Sequence, residues 1–235
     1  MGEAAVRRVP RIVAIDGPSG VGKSTAARLL AERLGVPVLD TGAMYRAVAL
    51  EVLRRGVDPG DREAVVRVAM AAPVETVARR DGIEVRLAGE DVEPHIRTPE
   101  VSEVSSRISA YPQVRRRLVE LQREAAAAVA AAAGGAVVEG RDIGTVVFPD
   151  APYKFFLDAR SEVRAGRRHR DLAGAAGPSV EEVRRDLERR DARDRARADS
   201  PLSFDASYEL IDTSELSPGE VVERMLEVIA SAQSG

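Results

Sequence analysis

The sequence predicts an α/β fold: a five-stranded parallel sheet with helices on both faces, interrupted by a small antiparallel β insertion. Three observations predict it. The glycine-rich octapeptide GPSGVGKS, Gly17 to Ser24, lies between a short β-branched apolar run and an amphipathic helix pattern. Short apolar strands alternate with helical segments towards both ends of the chain, as a covered parallel sheet requires. Between them, residues 74–92 alternate at period two, the mark of antiparallel strands with one buried face.

The elements follow in order. RIVAID, Arg11 to Asp16, reads as a buried parallel strand. KSTAARLLAERLG is a helix stopped by Gly35 at the position where a left-handed residue closes the last turn. VPVLD, Val36 to Asp40, is the second strand. AMYRAVALEVLRRG is a helix with Met44, Val48 and Val52 on one stripe and Gly56 as its stop. In VETVARRDGIEVRLAGEDV, Ile83, Val85 and Leu87 face one way and Glu84 and Arg86 the other, with Asp81-Gly82 as the turn signal. A helical stretch runs from about Pro99 to Ala133, broken near Pro112. AVVEG (136–140) and YKFFLDA (153–159) restore the parallel pattern. Ser179 and Glu182 form a capping box for a long charged helix, YELIDT (208–213) is the fifth strand, and Ser217-Pro218-x-Glu220 opens the final helix.

Composition bounds the chemistry. The chain has 235 residues, 44% hydrophobic and 31% charged, with a net charge of −3, so no overall basic field draws in nucleic acid. It has no cysteine, which excludes disulfides and thiolate metal sites, and its two histidines, His95 and His169, lie far apart in sequence. Aromatic residues make up 3%, so stacking surfaces for single-stranded nucleic acid are thin. No apolar run is long enough to span a bilayer and residues 1–10 lack a hydrophobic signal core, so those ten residues read as a flexible lead into a cytoplasmic protein. The expected partners are small molecules, with no nucleic acid, no membrane and a monomeric chain.

GPSGVGKS fits G-x-x-x-x-G-K-[ST] in the context that a phosphate-binding P-loop needs, after a strand and opening a helix. Glycines let the backbone curl until successive N–H groups face phosphate oxygens, and the helix adds its positive end. Gly17, Pro18, Ser19, Gly20, Val21, Gly22, Lys23, Ser24 and Thr25 are therefore the expected ATP-binding residues. Lys23, one of only two lysines in the chain, reaches the β and γ phosphates, and Ser24 holds Mg²⁺. No [NT]-K-x-D motif for guanine reading is present. The third strand ends in Glu139-Gly140-Arg141-Asp142, unlike the acidic pair of motor and transporter ATPases.

Several segments together resemble bacterial cytidylate kinases, within the nucleoside monophosphate kinases: IDGPSGVGKST at 15–25, LDTGAMYR at 39–46, IRTPEV at 96–101, YPQVR at 111–115, EGRDIGTVVFPDA at 139–151, FLDA at 156–159 and RDARDRAR at 190–197. The resemblance implies a three-layer P-loop kinase fold. Its core would be residues 11–62 and 134–235, its NMP-binding insertion with associated helices 63–133, and its lid 162–180. It also implies phosphoryl transfer from MgATP to CMP and dCMP. Thr41, Arg46 and Arg141 are expected near the acceptor phosphate. Ser106, Arg115, Asp142 and Arg197 are similar in position to the residues that read the base, and Arg190 and Asp194 to those that hold the ribose. Arg164, Arg167 and Arg168 are the lid cations expected to close over ATP. Lys23, Arg141, Arg164 and Arg167 are taken as catalytic.

Cytosine presents acceptors at O2 and N3 and a donor at N4, so arginine and carboxylate readers suit it. Positions 190, 194 and 197 share a helical face; Arg189, Asp191 and Arg193 are read as solvated or intrahelical pairs. Glu139 stands where the family more often has Asp, and would reach Mg²⁺ through water. Ser24 replaces a frequent glycine. Two other readings stay open: a different small-molecule P-loop kinase (UMP/CMP, adenylate or shikimate type), or an ATP-binding regulatory module.

Overall fold

The computed structural model describes residues 12–79, 82–172 and 177–232. The lead at 1–10, the Asp81 half of the hairpin signal and the centre of the lid loop lie outside the described residues. Five parallel strands form the main sheet: β1 (Ile12–Asp16), β2 (Val38–Asp40), β6 (Ala136–Glu139), β7 (Tyr153–Asp158) and β8 (Glu209–Asp212), in the order β2-β6-β1-β7-β8. The insertion is a second sheet, β3 (Val74–Arg79), β4 (Gly82–Leu87) and β5 (Glu90–Asp91), antiparallel throughout.

Strand alternation splits the core into two layers. Val13, Ile15, Val137, Phe155 and Leu157 point to one face, where α1 (Lys23–Leu34) and α8 (Pro218–Ala232) cover them. Ala14, Ala136 and Val138 point to the other. There α2 (Thr41–Arg54), α3 (Arg62–Ala71), α4 (Pro99–Ile108) and α5 (Pro112–Ala133) pack together with Val85 and Leu87 of the insertion. Met44, Val48 and Val52, the stripe expected on α2, are buried there. Each such side chain withdrawn from water contributes roughly 1.5–3 kcal/mol.

The helical stretch 99–133 divides before Pro112, as expected: Thr98 caps α4 and Tyr111 precedes α5. The second strand is shorter than its sequence suggested, and α2 begins at Thr41. The Asp40 side chain accepts the Ala43 N–H, which ends the strand and starts the helix on consecutive residues. Both capping boxes, at Ser179 and Ser217, are formed. After β6 comes a single π-helical turn, Ile143–Val147, not foreseen from the sequence. The remaining helices, α6 (Ser161–Asp171) and α7 (Val180–Arg195), form a hairpin packed through Ala165, Val183 and Leu187.

Candidate active site

The carboxyl ends of β1, β2 and β6 open into one cleft of about 710 Å³. At one end the chain leaves β1 through Gly17, at φ 144°. A Cβ there would stand 2.1 Å from the Leu157 carbonyl oxygen, so the turn demands glycine. Gly20 and Gly22 also have positive φ. Helix α1 starts at Lys23 with no side-chain cap and no acidic residue in its first turn. Asp40, Asp61, Thr98 and Ser179 cap α2, α3, α4 and α7, while α5 and α6, like α1, have no side-chain cap. The uncapped N–H groups and positive end of α1 are thus left for an anion.

Lys23 folds back so that Nζ donates to the Pro18 carbonyl at 2.8 Å. Burial, and next the neighbouring Arg141, depress its ammonium to about 7. Burial and then Asp40 raise the Glu139 carboxyl, against the pull of Lys23 and a Ser24 hydrogen bond. The Thr41 hydroxyl donates to the Glu139 carbonyl at 2.7 Å.

The far end of the cleft is built of arginine–carboxylate pairs. Arg115 pairs with Asp142, both nearly inaccessible. Asp194 takes Arg141 Nε at 3.0 Å and also pairs with Arg197. Arg197 also donates to the Ser109 hydroxyl at 2.7 Å, and Arg141 to the Ser19 hydroxyl at 2.7 Å. Arg46 and Arg97 converge on Asp40 at 2.7 and 3.1 Å. Burial would raise Asp40, but these two cations hold it below the usual carboxylate range.

Eleven basic and five acidic side chains line the cleft, an excess of positive charge in a chain whose net charge is −3. Nε of Arg46, Arg115, Arg190 and Arg197, the Ser106 hydroxyl and the Tyr45 hydroxyl are buried with no hydrogen-bond partner. All six residues line the cleft. Buried polar atoms are rarely left unpaired without a function, and six around one cavity point to a polar anionic ligand. Arg168 is pulled down by burial and by the like charge of Arg190, which places two cations across the same space.

The structure therefore brings together Ser19 to Thr25, Thr41, Arg46, Ser106, Arg115, Glu139, Arg141, Asp142, Arg167, Arg168, Arg190, Asp194 and Arg197. Arg190 and Asp194 line the cleft from α7, and Arg197 lines it from beyond the helix, which ends at Arg195, not from a shared helical face; Arg190 also pairs with Asp186 at 2.9 Å. Arg164 does not line the cleft in this structure. It is buried behind the P-loop, donating to the Ser19 and Ala159 carbonyls and pairing with Asp191. Arg167, one turn on, reaches the Val21 and Thr213 carbonyls.

Asp191 departs from its reading as a solvated residue. It is 1% exposed, accepts the Ser19 N–H at 3.2 Å and is not solvated. Arg193 does pair within its helix, Nε donating to the Arg189 carbonyl at 3.4 Å, but both its terminal nitrogens contact Glu103 of α4, at 2.9 and 2.8 Å. Arg189 is exposed beside Asp186 as expected. Sequence reasoning also left Asp16, Asp40, Tyr45 and Ser109 without a role. Folding alone brings Asp16 to its donors, Tyr45 to Arg115 and Ser109 to Arg197, whereas Asp40 has local partners in Ala43 and Arg46 that its spacing could have signalled.

A polyphosphate cradle facing an arginine-lined pocket, across the edge of a doubly covered parallel sheet, defines a P-loop kinase acting on a small anionic acceptor. Comparison with known proteins narrows the class. The family model described as cytidylate kinase matches residues 13–231. A cytidylate kinase from Corynebacterium efficiens is 47% identical over 224 residues, covering 94% of this chain and 96% of the relative. Another from Solibacter usitatus is 45% identical, covering 98% and 96%. The chain belongs to the cytidylate kinase family. Among solved structures, an uncharacterized protein from Eubacterium ventriosum superposes with a TM-score of 0.53 at 15% identity, covering 94% of this chain and 99% of that one, a likeness of fold alone.

Proposed function

We propose that the protein transfers the γ-phosphoryl group of MgATP to CMP and dCMP, giving ADP and CDP or dCDP. The observation that carries this reading is the continuity of the cleft from the uncapped α1 end to the Arg115–Asp142 pair, with unpaired polar atoms concentrated at the acceptor end.

The P-loop amides and Lys23 take the ATP phosphates, and Lys23 exchanges its Pro18 carbonyl for them. Arg46 and Arg141 hold the acceptor phosphate. Asp142 accepts the cytosine amino group while Arg115 and Arg197 donate to its ring acceptors, and Arg190 and Asp194 hold the ribose. A CMP phosphate oxygen, already ionised near neutral pH, attacks the γ phosphorus as its bond to the β-phosphate oxygen breaks. No strong general base is needed; alignment and charge neutralisation by Lys23, Arg141 and Arg167 do the catalysis.

Among the described residues no group of three His, Cys, Asp or Glu side chains is arranged to hold a metal alone. The Ser24 hydroxyl and the Glu139 carboxyl meet at the cleft wall, an oxygen-only donor set suited to Mg²⁺ carried in on phosphates. The ion would be held by Ser24, with Glu139 acting through water, and neutralises charge on the β and γ phosphates when bound. No helix among the described residues is long and apolar enough to cross a membrane.

A coupled ADP-release assay across CMP, dCMP, UMP, AMP and shikimate tests the reading. Turnover is expected with CMP and dCMP. ATP binding with no acceptor-stimulated turnover would return the reading to a regulatory module.

A further inference from the structure

Asp16 is the last residue of β1, fully buried, and followed at once by the first glycine of the P-loop. Its carboxylate does not turn towards the loop. Oδ1 accepts the Ile143 N–H at 2.8 Å, and Oδ2 accepts the Gly144 N–H at 2.9 Å and the Tyr208 hydroxyl at 2.7 Å. Those two amides open the π turn, directly after Arg141 and Asp142, the residues that face the acceptor.

We propose that Asp16 is a positioning residue for the acceptor pocket: it fixes the Arg141–Asp142 turn against the root of the P-loop, with Tyr208 closing the cage. The assignment rests on the reading of that pocket as the CMP site and deepens it.

Three observations support it. First, the turn is attached to two successive residues of β1, because the Gly140 N–H also donates to the Ile15 carbonyl at 2.9 Å. Donor and acceptor machinery therefore diverge from one short piece of chain. Second, the attachment has no slack. A Cβ on Gly144 would lie 2.6 Å from the Tyr208 hydroxyl, and one on Gly140 2.6 Å from Ile143 Cδ1. Third, a buried carboxylate is expensive, and no salt bridge to a cation is formed by Asp16 among the described residues. Burial pushes its pKa to about 6, and the three donors work against that rise. An apolar residue would fill the space, but it would leave the Ile143 and Gly144 amides unpaired and the turn free to shift.

The test compares the full chain with Asp16→Asn and Tyr208→Phe, measuring KM for CMP, KM for ATP, kcat and thermal stability. An asparagine can accept from one of the two amides but opposes the other with its own N–H. KM for CMP is expected to rise about tenfold in Asp16→Asn with KM for ATP as in the wild type. Tyr208→Phe is expected to shift the same parameter less, in the same direction. A carboxylate serving stability alone would lower the melting temperature without separating the two substrates. Equal weakening of CMP and ATP, or an unchanged KM for CMP in both variants, overturns the assignment. Should Asp16→Asn fail to fold, the split in Tyr208→Phe decides it. A wild-type chain inactive towards CMP would overturn the functional reading, and this assignment with it; an active wild type with unaffected variants overturns this assignment alone.

Discussion

Replacing Asp142 by Asn probes the base reader with little change of shape. The side chains of Arg115 and Asp142 keep only 3% and 7% of their surface accessible, so their pairing is largely shielded from water. Removing one charge from a buried pair costs about 3–5 kcal/mol, and the retained amide oxygen puts this case at the lower end. For a chain of this size about 3 kcal/mol lowers the melting temperature by roughly 6–12 °C. The catalytic effect is separable from that loss. Cytosine offers an amino donor at N4, which a carboxylate accepts; uracil offers a carbonyl there, which the Asn amide can satisfy. Loss of a charged hydrogen bond is about 1.5–3 kcal/mol, or roughly a tenfold to hundredfold fall in kcat/KM for CMP. UMP should hold or improve, so the CMP:UMP ratio narrows. The assay is ADP release with each monophosphate at a temperature where the variant is folded. A fall of the same factor for CMP and UMP would refute the assignment of Asp142 to the base.

Further outcomes concern the donor side. Lys23→Ala is expected to abolish turnover nearly completely while circular dichroism shows the fold intact; full activity would remove the P-loop assignment. Because burial and Arg141 hold Lys23 near 7, it is mostly neutral at pH 8 in the empty protein and must gain a proton to meet the phosphates. ATP affinity should thus weaken as pH rises above 7. Calorimetry at pH 8 in buffers of different ionisation heat should show proton uptake that Lys23→Ala loses; absence of uptake in the wild type contradicts the depressed pKa. Gly17→Ala forces a Cβ against the Leu157 carbonyl and should cost roughly 1–3 kcal/mol of stability together with ATP affinity. Gly22→Ala, where nothing lies within 4 Å, should cost less in a thermal melt.

The local signals in the sequence carried far. Strand, glycine turn and helix are consecutive at residues 12–34, and period alone located the meander. The resemblance named the residues that line the acceptor end. What escaped was long-range. Asp191 sits in a charge run that looks solvated, yet its partners are Ser19, 172 positions away, and Arg164 on the facing helix. Asp16 belongs to an apolar strand and finds its three donors 127 to 192 positions on. Local spacing cannot report contacts that only sheet order and hairpin packing create. The positions of Arg164 and Arg168 follow the same logic: Arg164 faces Asp191, while Arg168 of the same helix lines the cleft.

The buried Ser19–Asp191–Arg164 knot limits where the α6–α7 hairpin can pivot. It ties both helices to the root of the P-loop, and Arg167 adds a further tie from α6 to the Val21 and Thr213 carbonyls. Arg168, the next residue, lines the cleft from the same fastened turn of α6. A molecule entering the cleft thus meets these two guanidinium groups already set beside the phosphate-binding turn.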